Sequence, residues 1–268
     1  MRSFLNARDI ALDNEILRGV VGSTAHGTAV DGQDDRDEMG VFVEPPENVC
    51  GLVPCDHYVY RDQPDDHRSQ PGDLDLTMYS LRRFCRLAAQ GNPMVLLLLW
   101  LPAHLTRSEL GAELIAIREA FVSAESGRRF LGYLVGQASR LKGQRARTVK
   151  RPELVAKYGY DTKFAMHALR LGYEGIELMT DRRLTIPVAE PNLTRLRAVR
   201  SGQVQLSEAL RLIEEAEKRL RALIEACTWK PDLQLIDAFL VRAHLAHWGS
   251  HGLSVPERCG VRGLVPSF

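Results

Sequence analysis

Residues 20–44, VVGSTAHGTAVDGQDDRDEMGVFVE, hold an apolar run ending in Gly22-Ser23, an acidic loop, and a second apolar run from Gly40 to Val43. Asp35 and Asp37 stand where the loop enters that second run. Side chains alternate along an extended chain, so two carboxylates one residue apart point to the same side. Crowded like charges are costly unless a positive charge sits between them. A divalent cation such as Mg²⁺ meets that need, because Mg²⁺ is usually held by one or two carboxylates together with substrate phosphates. A Gly-Ser turn close by is placed to meet those phosphates.

Outward from this stretch the pattern predicts a small mixed sheet. Ile16–Val21 reads as a strand running into Gly22-Ser23, with Gly40–Val43 as its partner and His57–Tyr60 as a short strand in a polar, Pro-, Asp- and His-rich region. Residues 73–78, DLDLTM, alternate acid and apolar residues, as a half-buried strand does. Ser80 caps a helix over 81–90 closed by Gly91, and Asn92-Pro93 starts another over 94–100 that stops at Pro102. Beyond Pro102, segments at 108–124, 126–142, 161–173, 205–226 and 232–247 carry apolar residues at helical spacing. In the fourth, Leu206, Leu210, Ile213, Leu220 and Leu223 lie on or near one face, and Leu184–Pro187 reads as a short strand or extended turn. The fold class expected is therefore α+β: a mixed-sheet domain over 1–102, then an α-helical domain over 103–268.

Composition narrows the function classes. With 45% hydrophobic and 26% charged residues in 268, the chain has the make-up of a soluble globular protein. Its longest apolar run, 94–101, is less than half of the roughly 18 residues a membrane span needs, so no membrane partner is expected. The opening MRSFLNARDIALDNE is too polar for a signal peptide. Five cysteines, at 50, 55, 85, 227 and 259, make no paired framework, and the expectation is reduced thiols in a cytoplasmic protein. Cys50 and Cys55 lack a second ligand pair for zinc. His244, His247 and His251 suggest a metal site only weakly, since Gly249 is placed to end their helix. The net charge of +1 conceals an asymmetry: acids dominate residues 1–80, whereas ten Lys and Arg between Arg128 and Lys163 face only Glu153 and Asp161. An acidic half beside a basic half fits a metal site facing a polyanion, or simply two solvated faces.

A third carboxylate is needed to hold two metal ions and leave room for a substrate. Asp75 is the candidate, on a strand that can lie beside the one after Asp37; Asp73 shares its face by alternation and competes with it. Three carboxylates from adjacent strands would set two cations about 3.5–4 Å apart, one activating an attacking hydroxyl and the other neutralising a leaving pyrophosphate. Gly22 lets the backbone approach an anion closely, Ser23 adds a hydroxyl donor, and the absence of a following Gly-Lys-Ser/Thr excludes a P-loop. Lys163, His167 and Arg170 fit one helical face at spacings of four and three, and Tyr158 and Tyr160 before them could stack on a base or simply pack.

Gly22-Ser23, then Asp35-x-Asp37, then Asp75 resembles the DNA polymerase beta-like nucleotidyltransferase superfamily. DRDEMGVFVEPP (35–46) and YSLRRFCRLAAQGNPMVLLLLW (79–100) resemble its RNA-repair-pathway-associated branch. Lys163-x3-His167-x2-Arg170-Leu171, with Glu177-Leu178 and Arg200-x-Gly202 further on, is similar to that branch's C-terminal elements. The resemblance covers about residues 16–205. The loop departs from the pattern in carrying extra acids at Asp31 and Asp34, and 62–75 is long and acidic.

The resemblance implies a Gly22-Ser23 turn that holds an NTP such as ATP. It implies Asp35, Asp37 and Asp75 as catalytic ligands of two Mg²⁺ ions, with Mn²⁺ able to substitute, and Lys163, His167 and Arg170 facing triphosphate or RNA phosphate. The reaction implied is transfer of a nucleoside monophosphate to a hydroxyl with release of pyrophosphate, the acceptor being an RNA 3′ end, tRNA among the possibilities. The alternatives are a protein or small-molecule acceptor, as in toxin–antitoxin pairs, a non-catalytic nucleotide- or RNA-binding module, and a metal-dependent phosphohydrolase, which would call for histidine ligands beyond His26.

Overall fold

The computed structural model describes residues 6–30, 35–63, 72–143 and 151–250. Asp31, Asp34, Arg145, Arg147, Lys150, His251 and the tail with Cys259 lie outside the described residues. Helix α1 (Ala7–Asp13) leads into β1 (Glu15–Val20), the short α2 (Gly22–His26) and β2 (Arg36–Phe42). Next come α3 (Pro46–Cys50), β3 (His57–Arg61) and β4 (Leu74–Ser80). Helices α4 (Leu81–Ala89) and α5 (Pro93–Leu98) precede a two-residue strand, β5 (Thr106–Arg107).

These strands form one mixed sheet in the order β3-β4-β2-β1-β5, with β2 and β4 parallel and the other pairs antiparallel. The fold class is α+β, as the sequence predicts. Strand β2 begins at Arg36 rather than Gly40. Its charged start obscures the strand in sequence, yet the charges alternate cleanly. On one face Arg36 and Arg18 hold the buried Glu38, at 2.7 and 3.3 Å; Asp37 takes the other. Strand β5 also escapes the sequence pattern, because two residues carry no periodicity.

Helix starts follow their caps. The Ser80 hydroxyl accepts from Arg83 N at 3.3 Å, and Leu81, Phe84, Cys85 and Ala88 of α4 turn inward at helical spacing. Asn92 Oδ1 accepts from Met94 N and Val95 N, and Pro93 opens α5, which is buried from Val95 to Leu98.

The remaining elements are helical: α6 (Glu109–Ala116), a 3₁₀ turn over Arg118–Phe121, α7 (Ala124–Leu141), α8 (Pro152–Tyr158), α9 (Thr162–Asp181), α10 (Asn192–Arg200), α11 (Leu206–Ala226) and α12 (Leu233–Ser250). Residues 184–188 form an extended turn rather than a strand. Helix α9 is the axis of this half, packed on α7, α11 and α10. It runs on to Asp181, beyond the 173 that the apolar pattern suggests. The missing side chains of Gly172 and Gly175 admit neighbours: a Cβ at Gly172 would stand 2.8 Å from Ala216 Cβ, and one at Gly175 2.8 Å from Leu220 Cδ2. The buried face of α11 accordingly runs through Ala209, Ile213, Ala216, Leu220 and Ile224, with Leu206 exposed.

The larger core joins the sheet face bearing Met39 and Val41 to the helices; a smaller one, with Phe42, Leu76 and Met78, lies under α1 on the opposite face. Helix α12 is fastened to the sheet domain. Trp248 Nε1 donates to Glu44 O at 2.8 Å, His244 Nε2 lies 3.1 Å from the buried Glu44 carboxylate, and His247 Nε2 lies 2.8 Å from Asn14 Oδ1. These two histidines thus serve as tethers. Among the described residues no helix is long and apolar enough to cross a membrane.

Candidate active site

The parallel register of β2 and β4 sets Asp37 directly opposite Asp75. Asp35, two residues before Asp37, falls on the same side, and one carboxylate oxygen from each of Asp35, Asp37 and Asp75 lies within 4.8 Å of the others. All three are half-buried, and among the described residues they are the one cluster of three potential metal ligands. Asp73 stays outside it; its carbonyl accepts from Arg36 N at 2.8 Å, just before β4 begins. Neither Cys50, which is exposed, nor Cys55, which is buried, joins a ligand cluster. Three hard oxygen donors crowded on one sheet face fit a divalent oxygen-loving cation such as Mg²⁺.

Gly22 stands directly against this cluster. Val21 N donates to Asp37 O at 2.9 Å, which brings the end of β1 onto the Asp37 backbone. At Gly22, φ is +69°, and a Cβ would sit 2.0 Å from Asp37 Oδ2. Only glycine fits both the backbone conformation and the space. Ser23 follows, half-exposed, in the first turn of α2. Beside the acids a cleft of about 180 Å³ opens between Asp37, Asp75, Arg61, Val59, Thr77 and Met94.

The far end of α2 is buried against the helical half. His26 Nδ1 lies 2.7 Å from Glu174 Oε1, while Arg170 Nη1 donates to His26 Nε2 at 2.7 Å and to Glu174 Oε2 at 2.7 Å. His26, Arg170 and Glu174 are all buried. Arg170 Nη1 also lies 3.3 Å from His26 Nδ1, so the two charged side chains hold the ring between them. Burial and the Arg170 charge both push the His26 pKa down. Burial works to raise the Glu174 carboxyl, but Arg170 and His26 outweigh it and hold the pKa at about 2. Arg170 is therefore engaged in an internal ion pair. Glu174 escapes attention in sequence, although its place four residues after Arg170 on one helix face is the signal for such a pair.

Lys163 and His167 lie nearer the start of α9. Asp161 caps this helix, accepting from Lys163 N and Phe164 N at 3.1 Å, and pairs with Arg151 at 3.1 Å. Burial, then the charges of Arg170, Lys163 and Arg151, push the His167 pKa down to about 3, so the ring is neutral at ordinary pH. Tyr160 is buried with its hydroxyl donating to Val204 O at 2.6 Å, which makes it a packing residue. The Tyr158 ring lies over Gly202. Much of the basic stretch is paired locally: Arg128 and Arg129 with Glu125, Lys142 with Glu214, and Arg151 with Asp161.

Residues 7–242 match the family described as RlaP, the RNA repair pathway DNA polymerase beta family. No curated protein matches the chain. Among solved structures, the crystal structure of a nucleotidyltransferase-like protein from Exiguobacterium sibiricum 255-15 aligns over 96% of this chain and 93% of its own. The identity is 11% and the TM-score 0.30, a likeness too low to add to the family match.

Proposed function

The chain belongs to the RNA repair pathway DNA polymerase beta family and is a nucleotidyltransferase, and from that premise we propose that it moves a nucleoside monophosphate from an NTP to the 3′-hydroxyl of an RNA, tRNA among the candidates. The acceptor oxygen attacks the α-phosphorus, its proton passes to solvent, and the bond to the leaving pyrophosphate breaks. The observation that carries this reading is the convergence of Asp35, Asp37 and Asp75 within 4.8 Å, with Gly22 pressed against one of them. These three would hold two Mg²⁺ ions, or Mn²⁺ in their place. When bound, such ions lower the pKa of an attacking hydroxyl and neutralise a leaving pyrophosphate. Residues 1–102 would supply this chemistry, and residues 103–268 the nucleotide- and substrate-binding surface.

The protein's own groups do the positioning, on which phosphoryl-transfer catalysis largely depends. Gly22 and Ser23 would meet the triphosphate with the N–H groups of a helix start and one hydroxyl. Lys163 would bring positive charge and His167 a neutral hydrogen-bonding ring to the polyphosphate or to RNA phosphate. Arg170 supports this side from within, through His26.

Purified protein with Mg²⁺, labelled NTPs and total RNA is expected to transfer label to RNA, and Asp35→Ala with Asp37→Ala to abolish the transfer. Label in a polypeptide band would move the acceptor to protein. Transfer that survives the double substitution would defeat the proposed site.

A further inference from the structure

Helix α2 has five residues, too few to hold a helical shape unaided. Its geometry must come from its contacts, and these divide sharply between its two ends. At the start, Gly22 rests on Asp37 of the sheet. At the end, three elements of the helical half take hold. The His26 ring is gripped by Arg170 and Glu174 of α9. The His26 carbonyl accepts from Val188 N at 3.3 Å, and the Gly27 carbonyl accepts from Arg197 Nε of α10 at 2.9 Å.

Of these ties only the His26 contact places side-chain charges inside the protein. Arg170 and Glu174 sit four residues apart on α9, yet their shared third partner is 144 residues away from Arg170 in sequence. An ion pair needing only mutual neutralisation would not require the imidazole. With His26 between them, the pair reads the position of α2 through two 2.7 Å contacts to its ring, one from each charged partner.

We propose that Arg170 and Glu174 are positioning residues that set nucleotide affinity by holding His26, and with it the Gly22-Ser23 turn, in the phosphate-accepting position. This rests on the nucleotidyl-transfer reading and deepens it: the helical half would govern binding of the NTP through α2, without touching the NTP at these residues. The link should act on the bound triphosphate in ground and transition state alike. Its loss should then raise KM for the NTP and leave kcat and the KM for acceptor RNA nearly unchanged.

The test compares Glu174→Gln, Arg170→Lys and His26→Ala with the wild type in steady-state transfer to RNA. Hydrogen exchange of the amides of residues 22–28 is followed in the same proteins. The expected result is a KM for NTP raised about tenfold or more in Glu174→Gln and His26→Ala, and less in Arg170→Lys, with kcat within about threefold. Combining His26→Ala with Glu174→Gln should add little to either alone, because both break one link. Exchange over 22–28 should quicken in each variant that raises KM.

A merely structural role would lower the active fraction, reducing kcat at constant KM; that result, or additive effects of the two substitutions, would overturn the proposal. Should a substitution at Glu174 prevent folding, Arg170→Lys and His26→Ala carry the same comparison. Should the wild type transfer nothing to any acceptor, the functional reading fails. The link is then judged by exchange alone, and unchanged rates over 22–28 in Glu174→Gln would refute it.

Discussion

Replacing Gly22 by alanine tests the site at its tightest contact. The new Cβ would stand 2.0 Å from Asp37 Oδ2 and 2.8 Å from its Cγ. Since ordinary contact begins at 3.4 Å, the carboxylate or the turn must retreat by about 1.4 Å. Two costs follow, and they can be separated. The backbone, at φ +69°, is strained for any residue with a Cβ, by about 1–2 kcal/mol. The displacement of Asp37 is a separate cost borne by the chemistry, where a misplacement of about 1 Å can cost about 100-fold in rate. Gly159 is the control. Its φ is +79° but nothing lies within 4 Å of its Cβ position, so Gly159→Ala carries the strain without the collision. The expected outcome is a similar fall in urea midpoint for both variants, with labelled-NTP transfer reduced about 100-fold in Gly22→Ala and within about twofold of wild type in Gly159→Ala. Equal transfer by the two variants would refute the claim that Gly22 and Asp37 form one structural unit.

Asp75→Asn should abolish the thermal stabilisation that Mg²⁺ gives the wild type, since it removes one of the three carboxylates that would hold the ion; scanning calorimetry with and without Mg²⁺ reads the effect. Acidification should destabilise the fold in two overlapping windows. His167 is held neutral, its pKa moved from 6.5 to about 3, so the unfolded chain gains a proton first and stability falls as pH drops from about 6.5 towards 3. Glu174 moves from 4.5 to about 2, and its contribution, complete above 4.5, is lost between there and 2. Each group adds up to ~1.4 kcal/mol per pH unit inside its window, and His167→Gln should flatten the upper one in urea titrations. Glu44→Ala should cost about 2–3 kcal/mol in urea unfolding, because it strips the buried carboxylate from His244, with no change in KM for NTP.

Asp35, Asp37 and Asp75 are legible in the sequence because strands impose a period of two and a parallel pairing needs only one register to bring Asp37 opposite Asp75. Choosing Asp75 over Asp73 requires that register, and alternation alone gives both the same face. The Gly-Ser turn is legible as a motif, but the collision that reserves Gly22 for glycine is a tertiary fact. Arg170 shows the limit from the other side. A cation on a helix face looks like a phosphate contact in sequence, and its actual partners are Glu174 one turn away and His26 on the far side of the fold. Small residues mislead in a similar manner: Gly172 and Gly175 interrupt the apolar pattern of α9, yet a Cβ at either would come within 2.8 Å of Ala216 or Leu220 of α11.

The electrostatics of α9 also change what its N-terminal half can do for a polyanion. Read from sequence, Lys163, His167 and Arg170 are three cationic contributors. In the fold Arg170 is matched by Glu174, and burial beside Arg170, Lys163 and Arg151 leaves His167 uncharged. Burial is the largest cause of that neutrality, so His167 would meet a ligand as an uncharged hydrogen-bonding ring. A permanently charged lysine at position 167 would instead repel Arg170, Lys163 and Arg151 before any phosphate was present. A histidine held neutral by its neighbours keeps the empty site tolerable and still offers a hydrogen bond to the ligand, which gives a physical reason for an imidazole among these cations.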